Sequence, residues 1–202
     1  MKRSLEIAVL MTVLALATTV SAQAPTTTRI RGVIVALHGD RLTVHRNSGE
    51  SVDIVVTPAV AVSAVRKVTL KDIKPGTFIG TAARTDANGN LLAQEVVVFP
   101  EAARGTGEGH YAWDLGPQST MTNANVDAVV ESTHGSDLHL SYQGGTKTVT
   151  VSANTPIVTF VPAAQSDLVA GKKVFVVAKP NPAGGFFAQR VVVEKDGVAP
   201  PM

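Results

Sequence analysis

The side chains best equipped for chemistry gather in one stretch of this 202-residue chain, EAARGTGEGHYAWDLGPQSTMTNA over 101–124. Glu108, His110 and Asp114 bring two carboxylates and an imidazole, and Met121 adds a thioether. Such donors suit zinc or copper, with the thioether favouring reduced copper. Their spacing matches no established metal motif, and a few potential ligands arise readily by chance in a loop of this length. Glu108 and Asp114 could also divide acid and base roles, but nothing in their spacing sets them about a substrate. The run GTGEG at 105–109 lacks the third-glycine spacing of a dinucleotide loop, a following helix and a P-loop lysine. Neither a Ser-x-x-Lys nor a Gly-x-Ser-x-Gly nucleophile motif occurs. No enzyme and no obligatory cofactor is expected.

What remains is recognition. Aromatic residues make up only 4% of the chain, yet Tyr111 and Trp113 stand beside His110 and Asp114. Ring and charge chemistry concentrated in an aromatic-poor chain belongs at a binding site or a joint, so these four are the candidate ligand-binding residues. Trp113 also suits a plug between packed units. The other histidines read as turn or surface residues: His38 and His134 each precede a glycine, and His45 and His139 fall on polar strand faces.

Short β-branched segments separated by turn signals must position this stretch. Strands are predicted near 29–37, 41–46, 51–57, 60–66, 77–84 and 91–99, and again near 124–133, 137–142, 146–152, 157–161, 172–179 and 186–194. Alternation appears in Leu42 and Val44 against Thr43 and His45, and in Leu138 and Leu140 against His139 and Ser141. Gly39, Gly49, Gly76, Gly135, Gly145 and Gly171 punctuate the strands, and Asn88-Gly89 is a type I′ hairpin signal. LKDIKPG at 70–76 and SDLVAG at 166–171 each suit one helical turn closing a barrel end.

The two sets repeat. LLAQEVVV at 91–98 returns as FFAQRVVV at 186–193, and His38-Gly39, Gly49, Asp72 and Gly76 have counterparts in His134-Gly135, Gly145, Asp167 and Gly171. A period this long exceeds a solenoid unit, so each copy is read as a small domain. The fold class expected is all-β: two tandem six-stranded OB-like β-barrels related by internal duplication. The first module spans 29–100 and the second 124–196. An ordered Gly-rich connection at 101–123 joins them, and a tail at 197–202 follows.

Residues 1–22 combine Lys2 and Arg3, an apolar run from Ile7 to Val20 and a small-residue exit at Val20-Ser21-Ala22, the parts of a secretory signal peptide. Cleavage is expected after Ala22, or after Ala24. The apolar run is short of the roughly 20 residues of a membrane span, so no integral membrane segment is expected in the mature chain. With no cysteine, each barrel must be held by burial alone. The chain carries 18 basic and 16 acidic residues, and with few aromatics and no basic stripe nucleic acid is not an expected partner.

RGTGEGH at 104–110, WDLGP at 113–117, STMTNA at 119–124, NTPIVTF at 154–160 and the terminal KDGVAPPM together resemble a family of secreted bacterial proteins built on a duplicated domain of unknown function. The resemblance covers essentially the whole mature chain. It implies a tandem OB-like barrel protein exported in bacteria and carries over no catalytic or binding residue. The function expected is a non-enzymatic binding or adaptor protein of the periplasm or exterior, engaging an envelope protein or a small ligand through loops or an inter-barrel groove. Two alternatives stand beside it: a periplasmic copper or zinc carrier or stress accessory using Glu108, His110, Asp114 and Met121, and a structural component of envelope assembly.

Overall fold

The computed structural model describes residues 27–132 and 135–201, so the expected leader, His134 and Met202 lie outside the described residues. The described chain is all-β, with short 3₁₀ turns and no α-helix. Its thirteen strands form one continuous sheet that closes on itself twice.

The first ring begins with a meander of β1 (Thr28–His38), β2 (Arg41–Arg46) and β3 (Ser51–Val55). It is completed by the hairpin of β12 (Lys173–Pro180) and β13 (Phe186–Val193): β12 pairs antiparallel with β1, and β13 runs parallel to β3. The second ring joins the meander of β8 (Ser119–Ser132), β9 (Gly135–Tyr142) and β10 (Gly145–Val151) to the hairpin of β5 (Phe78–Thr85) and β6 (Leu91–Val98). There β5 pairs with β8 and β6 runs parallel to β10. β4 (Ala61–Lys67) and β11 (Ile157–Pro162) pair with each other and bridge the rings through β13 and β6.

Two modules in tandem, each closed on its own strands, were expected at 29–100 and 124–196; the strand pairing differs. Each ring takes its meander from one half of the chain and its hairpin from the other, and the rings have five strands each instead of six. The crossing follows from how β3 and β4 lie along one edge. Ile54 and Val55 sit against Phe186 and Phe187, and Ala61 to Ala64 continue against Arg190 to Val193. The chain thus leaves the first ring along β13, and the hairpin it makes next lands in the second. β10 and β11 do the same along β6.

The cores follow the exchange. One contains Ile30, Ile34, Leu42, Val44 and Ile54 with Val174, Val176, Val191 and Val193. The other contains Ile79, Ala83 and Val96 with Val126, Leu138, Leu140, Val149 and Val151. Each fully buried branched aliphatic contributes roughly 1.5–3 kcal/mol, so both rings depend on both halves. A third cluster, Val65, Val97, Val158, Phe175 and Val192, fills the seam between rings. β6 and β13 read as uninterrupted valine runs because one face enters a ring core and the other enters this seam.

The turns at Leu70–Asp72 and Gln165–Asp167 plug the ring ends, placing Ile73 and Leu168 in the two cores. Asp72 accepts from the Thr69 backbone N–H at 2.8 Å and its hydroxyl at 2.9 Å, and Asp167 accepts from the Ala164 N–H at 2.9 Å. The Asn88-Gly89 hairpin is not type I′, since Gly89 takes positive φ and Asn88 does not. The Asp86 carboxylate accepts from the Asn88 and Asn90 N–H groups and holds a longer loop with a left-handed glycine.

Candidate ligand-binding cavity

The connection expected at 101–123 contains a strand pair. β7 (Gly109–Ala112) pairs with the first residues of β8, which begins at Ser119 and therefore includes Met121 and Asn123. β8 is held from both sides, by β7 and by β5. That double pairing makes a strand of Ser-Thr-Met-Thr-Asn, a run whose polar residues gave little strand signal. Ser119 Oγ accepts from the Leu115 N–H and lies 2.9 Å from the Trp113 and Gly116 carbonyls, tying the turn before β8.

Strand alternation then divides the predicted site. Tyr111 stands opposite Met121, which stands opposite Ala82, and Ala82 opposite Glu95, so these four share the face toward the seam. The neighbouring row is Asn123, Gly80 and Val97. His110 points to the other face, where its Nδ1 lies 2.8 Å from Thr122 Oγ1 and its ring stacks near Tyr142. Across the seam the first ring presents two matching rows, Arg29, Val177, Arg190 and Arg31, Phe175, Val192.

A cavity of about 180 Å³ lies between these faces. Gly80 lines it, holding the place in its row that Phe175 holds across the seam, and Phe99 lies between Phe78 and Phe160, with ring centroids at 5.4 and 5.7 Å. Tyr111 and Trp113 form the outer wall, 6.2 Å apart. The Arg29 guanidinium lies 3.8 Å from the centre of the Trp113 ring, a cation–π contact. Gly107, at φ +60°, brings the loop against Asn123 and Tyr111, a backbone shape that side-chain-bearing residues rarely adopt.

Asn123 is 7% exposed and lines the cavity. Its Nδ2 donates to the Thr106 carbonyl at 3.0 Å and to Tyr111 Oη at 3.3 Å, which fixes the amide orientation, and its Oδ1 has no partner. A Cβ on Gly80 would stand 2.6 Å from that oxygen.

The seam is cationic. Asp114 accepts from Arg31 Nη2 at 2.8 Å and has Arg29 Nη1 at 3.9 Å. Partial desolvation pushes the Asp114 carboxyl up, but the hydrogen bond and charge of Arg31, with Arg29 behind, leave it below the usual range. Glu95 is 1% exposed, both carboxyl oxygens lack partners, and burial pushes it up to about 7 against the opposing charge of Arg31. Arg190 lines the cavity 5.5 Å from the Phe160 ring centre and, among the described residues, has no carboxylate within ion-pair distance. Burial lowers its pKa, and burial raises that of Tyr111, with Arg29 and Arg190 opposing.

Of the four predicted binding residues, Tyr111 and Trp113 line the cavity, Asp114 anchors the arginines beside it, and His110 faces away. The predicted metal set does not converge. Glu108 accepts from the Gln143 N–H at 2.9 Å, His110 lies on the opposite face, Asp114 is engaged by Arg31, and Met121 is buried at the cavity. Among the described residues no group of three or more His, Cys, Asp or Glu side chains is placed to hold a metal ion. Alternation in β7 and β8 sets His110 and Met121 on opposite faces.

A larger open groove of about 790 Å³ runs over the second ring past His110 and His139. Much of its polar lining is satisfied internally, as in Thr150 Oγ1 to Asp137 at 2.7 Å and Thr148 with His139 Nδ1 at 3.2 Å. His38, at the end of β1, is exposed.

Arg29, Arg190, Asn123, Phe99 and Phe160 were not anticipated. One signal was available: Glu95 and Arg190 each stand just before three valines at matching places in the repeat, and a charge in a strand buried on both faces calls for a reason. Among the described residues no helix is long and apolar enough to cross a membrane. No protein-family model, no curated protein and no solved structure matches this chain.

Proposed function

We propose that the chain is a non-enzymatic, exported binding protein that holds a small ligand in the cavity between its rings. The rings are read as OB-type barrels descended from one duplicated module, with their last hairpins exchanged. The observation that carries the binding reading is the cavity itself, a space walled by Tyr111, Trp113, Phe99 and Phe160 and lined by the guanidinium-bearing Arg190. Its titratable lining is arginine and tyrosine, with no nucleophile and base in reach of each other, which favours binding over catalysis. Export rests on residues 1–22 and on the resemblance to secreted proteins, and N-terminal sequencing of the mature chain tests it.

Trp113 is the sole tryptophan, so its emission reports on the cavity directly. Screening small metabolites for a saturable change in Trp113 fluorescence, with a matching rise in melting temperature, tests the binding reading. A Tyr111→Ala variant should weaken any hit. A broad library producing no saturable response removes the reading.

A further inference from the structure

We propose that the cavity takes a small carboxylic acid with a flat apolar body, its carboxylate held by Arg190. The inference rests on the binding reading above and names the ligand class for the same cavity.

The charge balance of the seam points to an anion. Asp114 is shared by Arg29 and Arg31, and Glu95 feels the opposing charge of Arg31. Arg190 is left with an aromatic ring on one side and the cavity on the other. A half-buried guanidinium without an acid keeps several donors unsatisfied, and a carboxylate matches its planar fork with two parallel hydrogen bonds.

Size and shape give the body. An apolar cavity of roughly 150 Å³ accommodates benzene, so about 180 Å³ fits a single ring with small substituents. Walls of Phe99, Phe160, Tyr111 and Trp113 offer faces and edges to such a ring.

The experiment uses the mature protein and three pairs of probes: benzoate with benzamide, 4-hydroxybenzoate with 4-hydroxybenzamide, and hexanoate with hexanamide. Binding is followed by Trp113 fluorescence and calorimetry near pH 7. The ring acids should bind at least about tenfold more tightly than their amides, since hydrogen bonds to charged groups carry that much discrimination. Hexanoate should bind more weakly than benzoate. Arg190→Gln should remove the preference for acid over amide, and Arg190→Lys should keep part of it.

The acid–amide comparison in the unmodified protein needs no variant to fold. Acids and amides binding alike would overturn the carboxylate assignment and leave the cavity reading standing. No response from any of the six would overturn the ligand class, and the broad library then decides the cavity reading.

Discussion

Glu95 and Arg190 hold matching positions on the two exchanged hairpins. Glu95 pairs with Ala82 beside the bulge at Ala82/Ala83, and Arg190 pairs with Val177 beside the bulge at Val177/Ala178. Both face the seam with opposite charges, yet they form no ion pair with each other. Glu95 has no hydrogen-bond partner, and Arg190 opens onto the cavity. A repeat that is symmetric in its hydrophobic positions thus becomes asymmetric in its chemistry, and the cavity lies on the cationic side.

Glu95 should give the protein a pH-dependent stability of unusual sign for a carboxylate. Burial raises it from 4.5 to about 7, so between those values the folded chain holds a proton that the unfolded chain releases. Its stabilising contribution is fully present below pH 4.5 and is lost as pH rises through about 7. The shift corresponds to about 3 kcal/mol at most. Glu95→Gln should flatten this dependence and be more stable than the parent above pH 8. Melting curves of both proteins from pH 5 to 8.5 check it, and an E95Q variant less stable than the parent at pH 8 would contradict the buried, unpaired carboxylate.

Gly32 and Gly80 should differ in their tolerance of alanine. A Cβ at Gly32 would stand 2.1 Å from the His45 carbonyl oxygen, part of the rigid β1–β2 ladder, whereas a Cβ at Gly80 meets only the side chains of Asn123 at 2.6 Å and Phe99 at 3.0 Å. Gly32→Ala should cost about 3 kcal/mol or more, and Gly80→Ala about 1–2 kcal/mol because those side chains can give way. G80A should also displace Asn123 and Phe99 in the cavity wall and weaken ligand binding. Thermal denaturation ranks the two, and equal melting temperatures would contradict the geometry.

The exchanged hairpins predict how the chain behaves when divided. Residues 27–100 contain the first meander and the second ring's hairpin, so neither core can form within one copy. Expressed alone, this half should not yield a folded monomer, and coexpression with 101–201 should restore a one-to-one complex with β-type circular dichroism. Size-exclusion chromatography separates the outcomes. A folded monomer of 27–100 would mean that the hairpin can close its own ring.

Zinc or copper at near-stoichiometric concentration should shift the melting temperature by less than about 1 °C, because any site binding the folded state would stabilise it by linkage. A shift abolished by His110→Ala would restore the metal reading despite the separation of His110 from Asp114.

Most of the strand pattern was legible because it is local. Leu42 and Val44, or Leu138 and Leu140, carry the two-residue period that a half-buried strand requires, and glycines mark the turns between. β7 and the start of β8 were not legible. Tyr111 and Met121 lie in strands whose polar neighbours have weak intrinsic preference, and pairing with β5 supplies what propensity lacks. Tyr111 and Trp113 stood out as rare residue types. Arg190 and Asn123 did not, since a single charge or amide carries meaning only once its surroundings are known.

The sequence by itself determined the all-β class, the positions of most strands and turns, and the repetition of the two halves, because backbone preference and one-face burial act over a few residues. Only the tertiary structure decided which hairpin closes which ring. FFAQRVVV and LLAQEVVV present nearly the same edge to either meander, so local pattern cannot choose between them. The choice follows from β4 and β11 running on along β13 and β6. That exchange brings Arg29, Arg190, Tyr111, Trp113 and Asn123 together from distant parts of the chain, and the cavity lies between the facing rows, where Gly80 lets Asn123 and Phe99 pack close to the strand.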